Sequence, residues 1–238
     1  MSRAAEATDH EQREPRPSRS GRSGRGLAGR LIDVTARRPH GWIARKTYGG
    51  AQGAPKGHEE VFDRVLEAIG AVEGQRCLEV GCGGGRLLER VLAAGAHAAG
   101  VDHSPDMLEL SSQRNRGAVE TGALELKLGE AEQLPWPDAT FNVLLSANTF
   151  FFIEQAERAL DEFFRVLAPG GRMVIATVPG PLPAPSLRQW WLYIWGSQMH
   201  AYDDEQMRAM VEHVGFIDIK VTSTGSEAQP LQLVHARR

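Results

Sequence analysis

The chain of 238 residues contains only two cysteines and no long apolar run. Cys77 and Cys82 stand too close along a predicted strand and turn to indicate a disulfide framework, and without matching histidines they indicate no zinc site. No apolar stretch approaches the length of a membrane span. The first residues also lack the basic, apolar and small-residue pattern of a signal peptide. These absences predict a cytoplasmic protein without a bound metal or a membrane-spanning helix.

Charge is distributed unevenly between the start of the chain and the rest. Residues 1–38 contain nine arginines and five acidic residues, a net charge of +4, whereas the whole chain has a net charge of −3. This segment is rich in Pro, Arg, Ser and Gly and cannot bury enough apolar surface to offset its ordering entropy. We expect a mostly disordered arm, which is either a basic anchor for nucleic acid or acidic lipid or a solvated tail. We favour the tail, because lone basic tails are common and weakly specific. The lack of aromatic residues between the arginines also disfavours nucleic-acid binding by stacking.

A glycine-rich turn at residues 77–85 carries the strongest signal. Its sequence is CLEVGCGGG, an apolar strand that runs into glycines, and a helical pattern begins at Arg86. Glycines allow positive φ and the close approach of a ligand. The start of the helix offers free N–H groups to that ligand. The pattern therefore predicts a site for a nucleotide-like cofactor.

The residues of this turn discriminate between cofactor classes. The dinucleotide fingerprint G-x-G-x-x-G fails because Arg86 stands at its sixth position from Gly81, and no Gly-Lys pair of a P-loop follows. Glu79 would repel a pyrophosphate at short range. S-adenosylmethionine has no phosphate and carries a cationic sulfonium and amino group, so an acidic residue suits that cofactor.

The pattern E-x-G-x-G-x-G from Glu79 to Gly85 resembles the first motif of class I S-adenosylmethionine-dependent methyltransferases. The resemblance is greatest to the branch that includes ubiquinone and menaquinone biosynthesis methyltransferases, the methyltransferase type 11 domain. Four further segments resemble later motifs in the family's order: residues 102–108, 128–137, 138–146 and 165–175. Two positions depart from the family pattern, since Glu130 and Asn142 stand where it usually has Asp.

The resemblance implies a role for individual residues. Asp102 would hold the two ribose hydroxyls, His103 and Met107 would flank the adenine ring, and Glu130 would accept from the adenine amino group. Tyr48, in a glycine-rich stretch before the first motif, would contact the methionine end. The predicted cofactor-binding set is Glu79, Gly81, Gly83, Gly85, Asp102, His103, Met107, Glu130, Ala131, Ser146 and Tyr48.

Alternating helix and strand patterns predict an α/β fold. We expect strands near 76–80, 97–101, 123–128, 142–147 and 172–178, helices near 86–94, 105–115 and 154–167, and two terminal strands near 215–222 and 231–234. With the resemblance, this predicts a Rossmann-like sheet of seven mainly parallel strands, helices on both faces and an antiparallel edge strand. Residues 39–238 would form the methyltransferase domain, with a cofactor-binding core at 76–178. Gly81, Asp102, Glu130 and Ser146 follow or end strands and are expected to meet in one crevice.

Recognition of the methyl acceptor is predicted in residues 179–202, which hold three of the five tryptophans. This segment is either an apolar lid over a planar acceptor or a helix that packs its aromatics on the sheet. His200 and His58 are candidates for a general base, and Asn148 could line the acceptor site. We favour a surface or packing role for the histidines, so no catalytic residue is assigned. The sequence around Asn148 lacks the Asn-Pro-Pro-Tyr signature of enzymes that methylate amino groups of nucleic acid or protein.

The predicted function is transfer of a methyl group from S-adenosylmethionine to a small-molecule acceptor by in-line displacement. Two alternatives stay open: a nucleic-acid methyltransferase anchored by the basic arm, and a non-catalytic S-adenosylmethionine-binding protein. The intact motif at Glu79, Asp102 and the glycines favours cofactor binding first and catalysis second. The acidic body of the chain disfavours nucleic acid. The sequence leaves the acceptor, its methylated atom and the oligomeric state open.

Overall fold

A computed structural model describes residues 58–181, 199–226 and 229–238. The predicted arm at 1–38, Tyr48 and most of the segment 179–202 lie outside the described residues. Within the described ranges, no helix combines the length and the apolar character needed to cross a bilayer.

The described residues alternate between helices and strands as predicted. The helices are α1 (His58–Ile69), α2 (Arg86–Ala93), α3 (Pro105–Arg114), α4 (Arg116–Glu120), α5 (Ala156–Val166) and α6 (Asp204–Val214), with a 3-10 turn at Phe150–Phe152. The strands are β1 (Arg76–Val80), β2 (His97–Asp102), β3 (Leu124–Leu128), β4 (Phe141–Ala147), β5 (Leu167–Thr177), β6 (Ile217–Ser226) and β7 (Gln229–Arg237).

The seven strands form one sheet in the order β3-β2-β1-β4-β5-β7-β6. Strands β1 to β5 pair in parallel, and β7 pairs antiparallel with both β5 and β6. The predicted fold is therefore confirmed. The chain builds outward from β1 in one direction and from β4 in the other, so the switch point lies between these two strands. In open α/β sheets, ligands bind at that point, beyond the carboxyl ends of the strands.

Each face of the sheet is covered by helices whose apolar residues recur at helical spacing. On one face, Val65 of α1 and Leu88 of α2 belong to the same buried cluster as Leu145 of β4. On the other face, Phe163 of α5 clusters with Leu144. We call these the α1–α2 face and the α5–α6 face. Successive strand residues point to opposite faces. In β4, residues 143, 145 and 147 therefore lie on the α1–α2 face, and residues 144 and 146 lie on the α5–α6 face.

Local capping fixes the helices that flank the crevice. Helix α3 starts with Pro105, and the Oγ of Ser104 accepts from the Met107 N–H at 3.4 Å. Pro suits this position because its missing N–H has no partner in a first turn. The helix therefore begins three residues after Asp102, which places its first turn beside the carboxyl end of β2.

Strand β5 begins earlier than the predicted residue 172. Leu167 already pairs with Phe141, and the register then shifts before Val143 pairs with Arg172. The glycines of the intervening turn absorb this irregularity, since Gly170 has φ 77°. Residues 168–171, which separate the predicted helix from the predicted strand, are therefore part of a bulged strand. A short helix, α4, also follows α3 directly.

Candidate functional site

Three of the four glycines in the turn after β1 have positive φ, and they differ in what surrounds them. The values are 75° at Gly81, 50° at Gly83 and 75° at Gly85. A Cβ on Gly81 would lie 2.3 Å from the Thr149 side chain, and one on Gly85 would lie 2.3 Å from the Ser111 Oγ. A Cβ on Gly83 would meet nothing within 4 Å. Gly81 and Gly85 are thus required by packing, whereas Gly83 offers an open backbone to a ligand.

Asp102 is the carboxylate that organises this turn. Its side chain is 7% exposed at the end of β2. Oδ2 accepts from the Gly83 N–H at 2.9 Å, and Oδ1 accepts from the Ser104 N–H at 2.9 Å. Burial raises the pKa of Asp102, although His103 and these two N–H groups oppose the rise. A carboxylate has about four acceptor positions, so two remain for hydroxyl groups of a ligand.

Glu79 is a second buried carboxyl group beside the first. It is 3% exposed and accepts a hydrogen bond from the backbone N–H of Leu88 in α2. Its Oε2 has no hydrogen-bond partner among the described residues. Burial and the nearby Asp102 raise the pKa of Glu79 well above its ordinary value. Two adjacent buried carboxyl groups favour a cationic ligand, which would restore their ionised forms.

The residues predicted to surround adenine lie at the ends of β2 and β3. His103 follows Asp102, and its Nε2 is buried without a partner among the described residues. Met107 is 2% exposed in the first turn of α3. Glu130 is exposed, and its charge contributes to the raised pKa of Asp102. Ala131 packs against the main core. The structure thus brings these predicted residues to the same edge as Asp102.

Polar residues at the end of β4 form a separate group. Ser146 is fully buried and its Oγ has no partner among the described residues. It projects to the α5–α6 face, whereas Glu79 contacts α2 on the opposite face, so the structure does not bring these two predicted side chains together. Asn148 has φ 55°, and its N–H donates to the Ala176 carbonyl oxygen at 2.9 Å. Its Nδ2 is buried and unpartnered within the described ranges, which makes it a donor available to an acceptor molecule.

The two candidate histidines occupy different positions. The N–H of His200 donates to the Phe151 carbonyl oxygen at 2.8 Å, which places an exposed His200 next to the loop that follows β4. His58 begins α1 and packs edge-on against Phe62, with ring centroids 6.1 Å apart. Burial lowers the pKa of His58. His200 is therefore adjacent to the loop that holds Asn148, while His58 contacts its own helix.

Sequence reasoning did not identify the residues that brace the glycine turn. The Nε of Arg114 donates to the Gly84 carbonyl oxygen at 3.0 Å, and the Nδ2 of Asn115 donates to the Gly85 carbonyl oxygen at 3.0 Å. These bonds engage two carbonyl oxygens of the turn and fix the turn against the end of α3. Nothing in the local sequence signals the contacts, because both residues lie about 30 positions downstream.

A network of charges also joins α1 to the start of α2. Glu59 accepts from the Nε of Arg86 at 3.0 Å and pairs with Arg90. Although burial opposes the effect, the two arginines hold the pKa of Glu59 below its ordinary value. Arg86, which excluded a dinucleotide fingerprint, therefore fixes the first helix against the turn.

Asn142, the departure from the family pattern in β4, lies at the opposite edge of the sheet. Its Oδ1 accepts from the Arg76 N–H at 3.0 Å, at the start of β1. A cavity of about 470 Å³ opens beside it, also lined by Gly170 and Arg172. This cavity lies at the amino ends of the strands, far from the crevice. Asparagine at position 142, in place of the usual aspartate, therefore does not contact the crevice.

Comparison with known proteins gives the family. Residues 78–175 match the methyltransferase domain family. This part of the chain, about two fifths of its length, therefore corresponds to a methyltransferase domain. This confirms the family resemblance predicted from the motifs.

Several known proteins resemble this chain. A demethylmenaquinone methyltransferase of Thermus thermophilus is 37% identical over 44% of this chain and 46% of its own length. The ubiquinone/menaquinone biosynthesis C-methyltransferase UbiE of Photorhabdus laumondii is 27% identical over 70% of this chain and 76% of its own length. The chain spans about half the length of several curated relatives that it matches.

A solved structure shares the fold over most of the chain. The phosphoethanolamine N-methyltransferase 2 of Haemonchus contortus, solved with phosphomonomethylethanolamine and S-adenosylhomocysteine, superposes with a TM-score of 0.72. It is 17% identical and the match covers 88% of this chain and 60% of that chain. At this identity the likeness establishes the architecture alone.

Proposed function

We propose that this chain is an S-adenosylmethionine-dependent methyltransferase that methylates a small molecule. The observation that carries the proposal is the pair of buried carboxyl groups, Glu79 and Asp102, beside the open backbone of Gly83. A ligand for this crevice needs hydroxyl groups for Asp102 and positive charge near Glu79. The ribose, the amino group and the sulfonium of S-adenosylmethionine meet both requirements.

In this proposal, the residues of the crevice would contact the cofactor in order along its length. Asp102 would take the ribose hydroxyls with its two remaining acceptor positions, and His103 and Met107 would flank the adenine ring. Glu130 and Ala131 would border the outer edge of adenine. Gly81 and Gly85 shape the turn on either side of Gly83. Tyr48 stays a proposed contact to the methionine end.

The chemistry that the bound cofactor supplies is an electrophilic methyl group on sulfur. The residues of this chain then hold the acceptor in line with that methyl group and exclude water. The free amide of Asn148 can donate to an acceptor at the end of β4. A general base is required only for an acceptor that must lose a proton; His200 has the position for that role next to the loop, and His58 is the second candidate.

We propose a small-molecule acceptor and a cytoplasmic location. The relatives named for demethylmenaquinone and for ubiquinone/menaquinone biosynthesis support an acceptor of that size. Both cysteines of the chain are buried free thiols, which is typical of a reducing compartment. Nucleic acid is a disfavoured acceptor, because the chain outside residues 1–38 has a net negative charge.

Calorimetric titration of the purified chain with S-adenosylmethionine and S-adenosylhomocysteine tests the proposal, with NAD as the control. We expect binding of the first two in the micromolar range and none of NAD. Absence of binding by both sulfur compounds would overturn the cofactor assignment. Binding of both without transfer to any quinol, phenol or fatty acid would favour the non-catalytic alternative.

A further inference from the structure

Three buried polar side chains at the carboxyl edge of the sheet each have one oxygen atom without a partner among the described residues. They are Ser146 at 0% exposure, Thr177 at 2% and Gln232 at 0%. The Oγ of Ser146, the Oγ1 of Thr177 and the Oε1 of Gln232 have no hydrogen-bond partner among the described residues. Buried polar atoms are normally paired with protein or ordered water, so this group of three has hydrogen-bonding positions left for a small polar group.

The strand register places the three side chains on one face. Thr177 of β5 pairs directly with Gln232 of β7, and Ser146 of β4 pairs with Ile175. Ile175 and Val234 belong to the α5–α6 face. Thr177 lies two residues after Ile175, and Gln232 lies two residues before Val234. Because side chains alternate along a strand, Thr177 and Gln232 also lie on the α5–α6 face. Directly opposite residues have Cβ atoms about 4.5–5.5 Å apart, so Thr177 and Gln232 can contact the same small group.

The orientation of the Gln232 amide is determined by its neighbours. Its Nε2 donates to the Tyr202 carbonyl oxygen at 3.2 Å and to the Oδ1 of Asp204 at 2.7 Å. A flipped amide would place oxygen against both acceptors and is excluded. Oε1 is therefore an acceptor only, and it needs a partner that donates. Thr177 and Ser146 can each donate or accept.

The charge around the three side chains is negative. The Asp204 carboxylate lies directly behind the Gln232 amide, and Glu157 contributes, after burial, to the raised pKa of Tyr202. An anionic group would be repelled here and would also lack a hydrogen for Gln232. A hydroxyl group meets every requirement, since it donates to Oε1 and accepts from a threonine or serine hydroxyl.

We infer that Thr177 and Gln232, with Ser146, form a subsite that binds a neutral hydroxyl group of the methyl acceptor. The inference rests on the proposed methyltransferase function and assigns the acceptor class to alcohols and phenols rather than phosphate esters or carboxylates. It also moves Ser146 from the cofactor to the acceptor. The subsite borders the crevice, because the N–H of Asn148 bonds to Ala176, the residue before Thr177. Pro179 and Gly180 join Tyr202 across the end of β5.

Binding of matched probes to the protein saturated with S-adenosylhomocysteine tests the subsite. The probes are phenol, anisole and benzoate, and the larger set of 2-naphthol, 2-methoxynaphthalene and 2-naphthoate, measured by calorimetry. We expect at least one hydroxyl probe to bind about tenfold or more tightly than its methoxy and carboxylate counterparts, because only a hydroxyl satisfies Gln232. Failure of both hydroxyl probes to bind, or preference for a carboxylate, would overturn the inference.

The variant Thr177→Val separates a subsite from an ordinary buried position. Valine has nearly the side-chain shape of threonine but lacks the hydroxyl, which has no partner among the described residues. We therefore expect an unchanged or higher Tm and about tenfold weaker binding of the hydroxyl probe. The affinity for S-adenosylhomocysteine should not change. Thr224→Val on β6 is the matched control, since Thr224 is exposed, and it should alter neither affinity.

Two further outcomes are decisive. Unchanged binding of the hydroxyl probe by Thr177→Val would mean that Thr177 contacts only an ordered water, and the inference would be wrong. If the wild-type chain does not bind S-adenosylhomocysteine at all, the proposed function is contradicted. Failure of the subsite inference and failure of the proposed function are therefore distinguishable.

Discussion

The half of the crevice at β1, β2 and β3 differs from the half at β4, β5 and β7 in how its buried polar groups are satisfied. On the first side, Asp102 accepts two backbone N–H groups, and Asn115 holds a carbonyl of the glycine turn. Among the described residues on this side, Glu79, His103 and Ser111 each keep one unpartnered side-chain atom. On the second side, buried polar atoms of Ser146, Asn148, Thr177 and Gln232 lack partners among the described residues.

This difference matches the two ligands that we propose. A cofactor that is common to a family can bind to a turn that protein hydrogen bonds already fix, which reduces the entropic cost of ordering the turn on binding. An acceptor that varies between relatives would instead bind to side chains whose hydrogen bonds only the ligand completes. The comparison predicts that substitutions on the first side affect stability and cofactor affinity together, whereas those on the second side affect acceptor affinity alone.

The largest expected effect comes from Gly85→Ala. The added Cβ would lie 2.3 Å from the Ser111 Oγ and 2.6 Å from the Asn115 Nδ2, at φ 75°. Overpacking together with a left-handed backbone should lower the free energy of unfolding by about 3 kcal/mol. Gly83→Ala is the matched control, because it meets only the backbone penalty of about 1–2 kcal/mol. Urea denaturation measures both, and equal losses would contradict the difference between the two glycines.

Asp102→Ala should lower the affinity for S-adenosylhomocysteine by about 2 kcal/mol or more, since charge-assisted hydrogen bonds to the ribose are lost. It also leaves the N–H groups of Gly83 and Ser104 without their acceptor, so the Tm should fall. Asp102→Asn keeps one acceptor oxygen and should be intermediate. Calorimetry gives the affinities, and unchanged affinity in the alanine variant would refute the ribose role.

Asn115→Ala tests whether the brace at the back of the turn contributes to the first half of the crevice. Loss of its bonds to Gly85 and Ser111, both buried, should lower the free energy of unfolding by about 1–2 kcal/mol. Cofactor affinity should fall several-fold with it, because the turn loses its support. Gln113→Ala is the control, since Gln113 is exposed and bonds only within α3. A change in stability without a change in affinity would limit Asn115 to a structural role.

The smallest effect is the pH dependence that arises from Glu79. Because its pKa is raised in the folded protein, the stabilising contribution of its neutral form is complete below the pKa of the unfolded chain. That contribution is lost as the pH rises through the raised folded pKa. Glu79→Gln should therefore show a flatter dependence of Tm on pH, by a few degrees, in thermal scans from acid to neutral pH. Parallel curves for variant and wild type would contradict the raised pKa.

The first half of the crevice was predictable from sequence because its signals are local. Glu79, Gly81 and Gly83 lie within five residues, and Asp102 ends the next strand, so strand-end geometry alone brings them together. The individual roles of the glycines were not predictable in the same way. Thr149 and Ser111, which determine why Gly81 and Gly85 must be glycine, are 68 and 26 positions away and are set by tertiary packing.

The second half was less predictable because its partners come from strands far apart in sequence. Thr177 and Gln232 carry no motif, and only the antiparallel register of β5 with β7 makes them neighbours. The bulged start of β5 was missed for a similar reason, since the pairing of Leu167 with Phe141 overrides the turn preference of the glycines. Long-range pairing, not local propensity, decides these features.

The position of β7 has a consequence for synthesis on the ribosome. β7 follows β6 along the chain, but it lies between β5 and β6 in the sheet. β6 therefore emerges first and has no pairing partner until residues 229–237 are made, and during that interval β5 is an unprotected edge open to pairing with other chains. The strands that hold Glu79 and Asp102 can pair before that stage. Gln232 arrives with the last strand, so the nascent protein completes its proposed cofactor crevice before its proposed acceptor subsite.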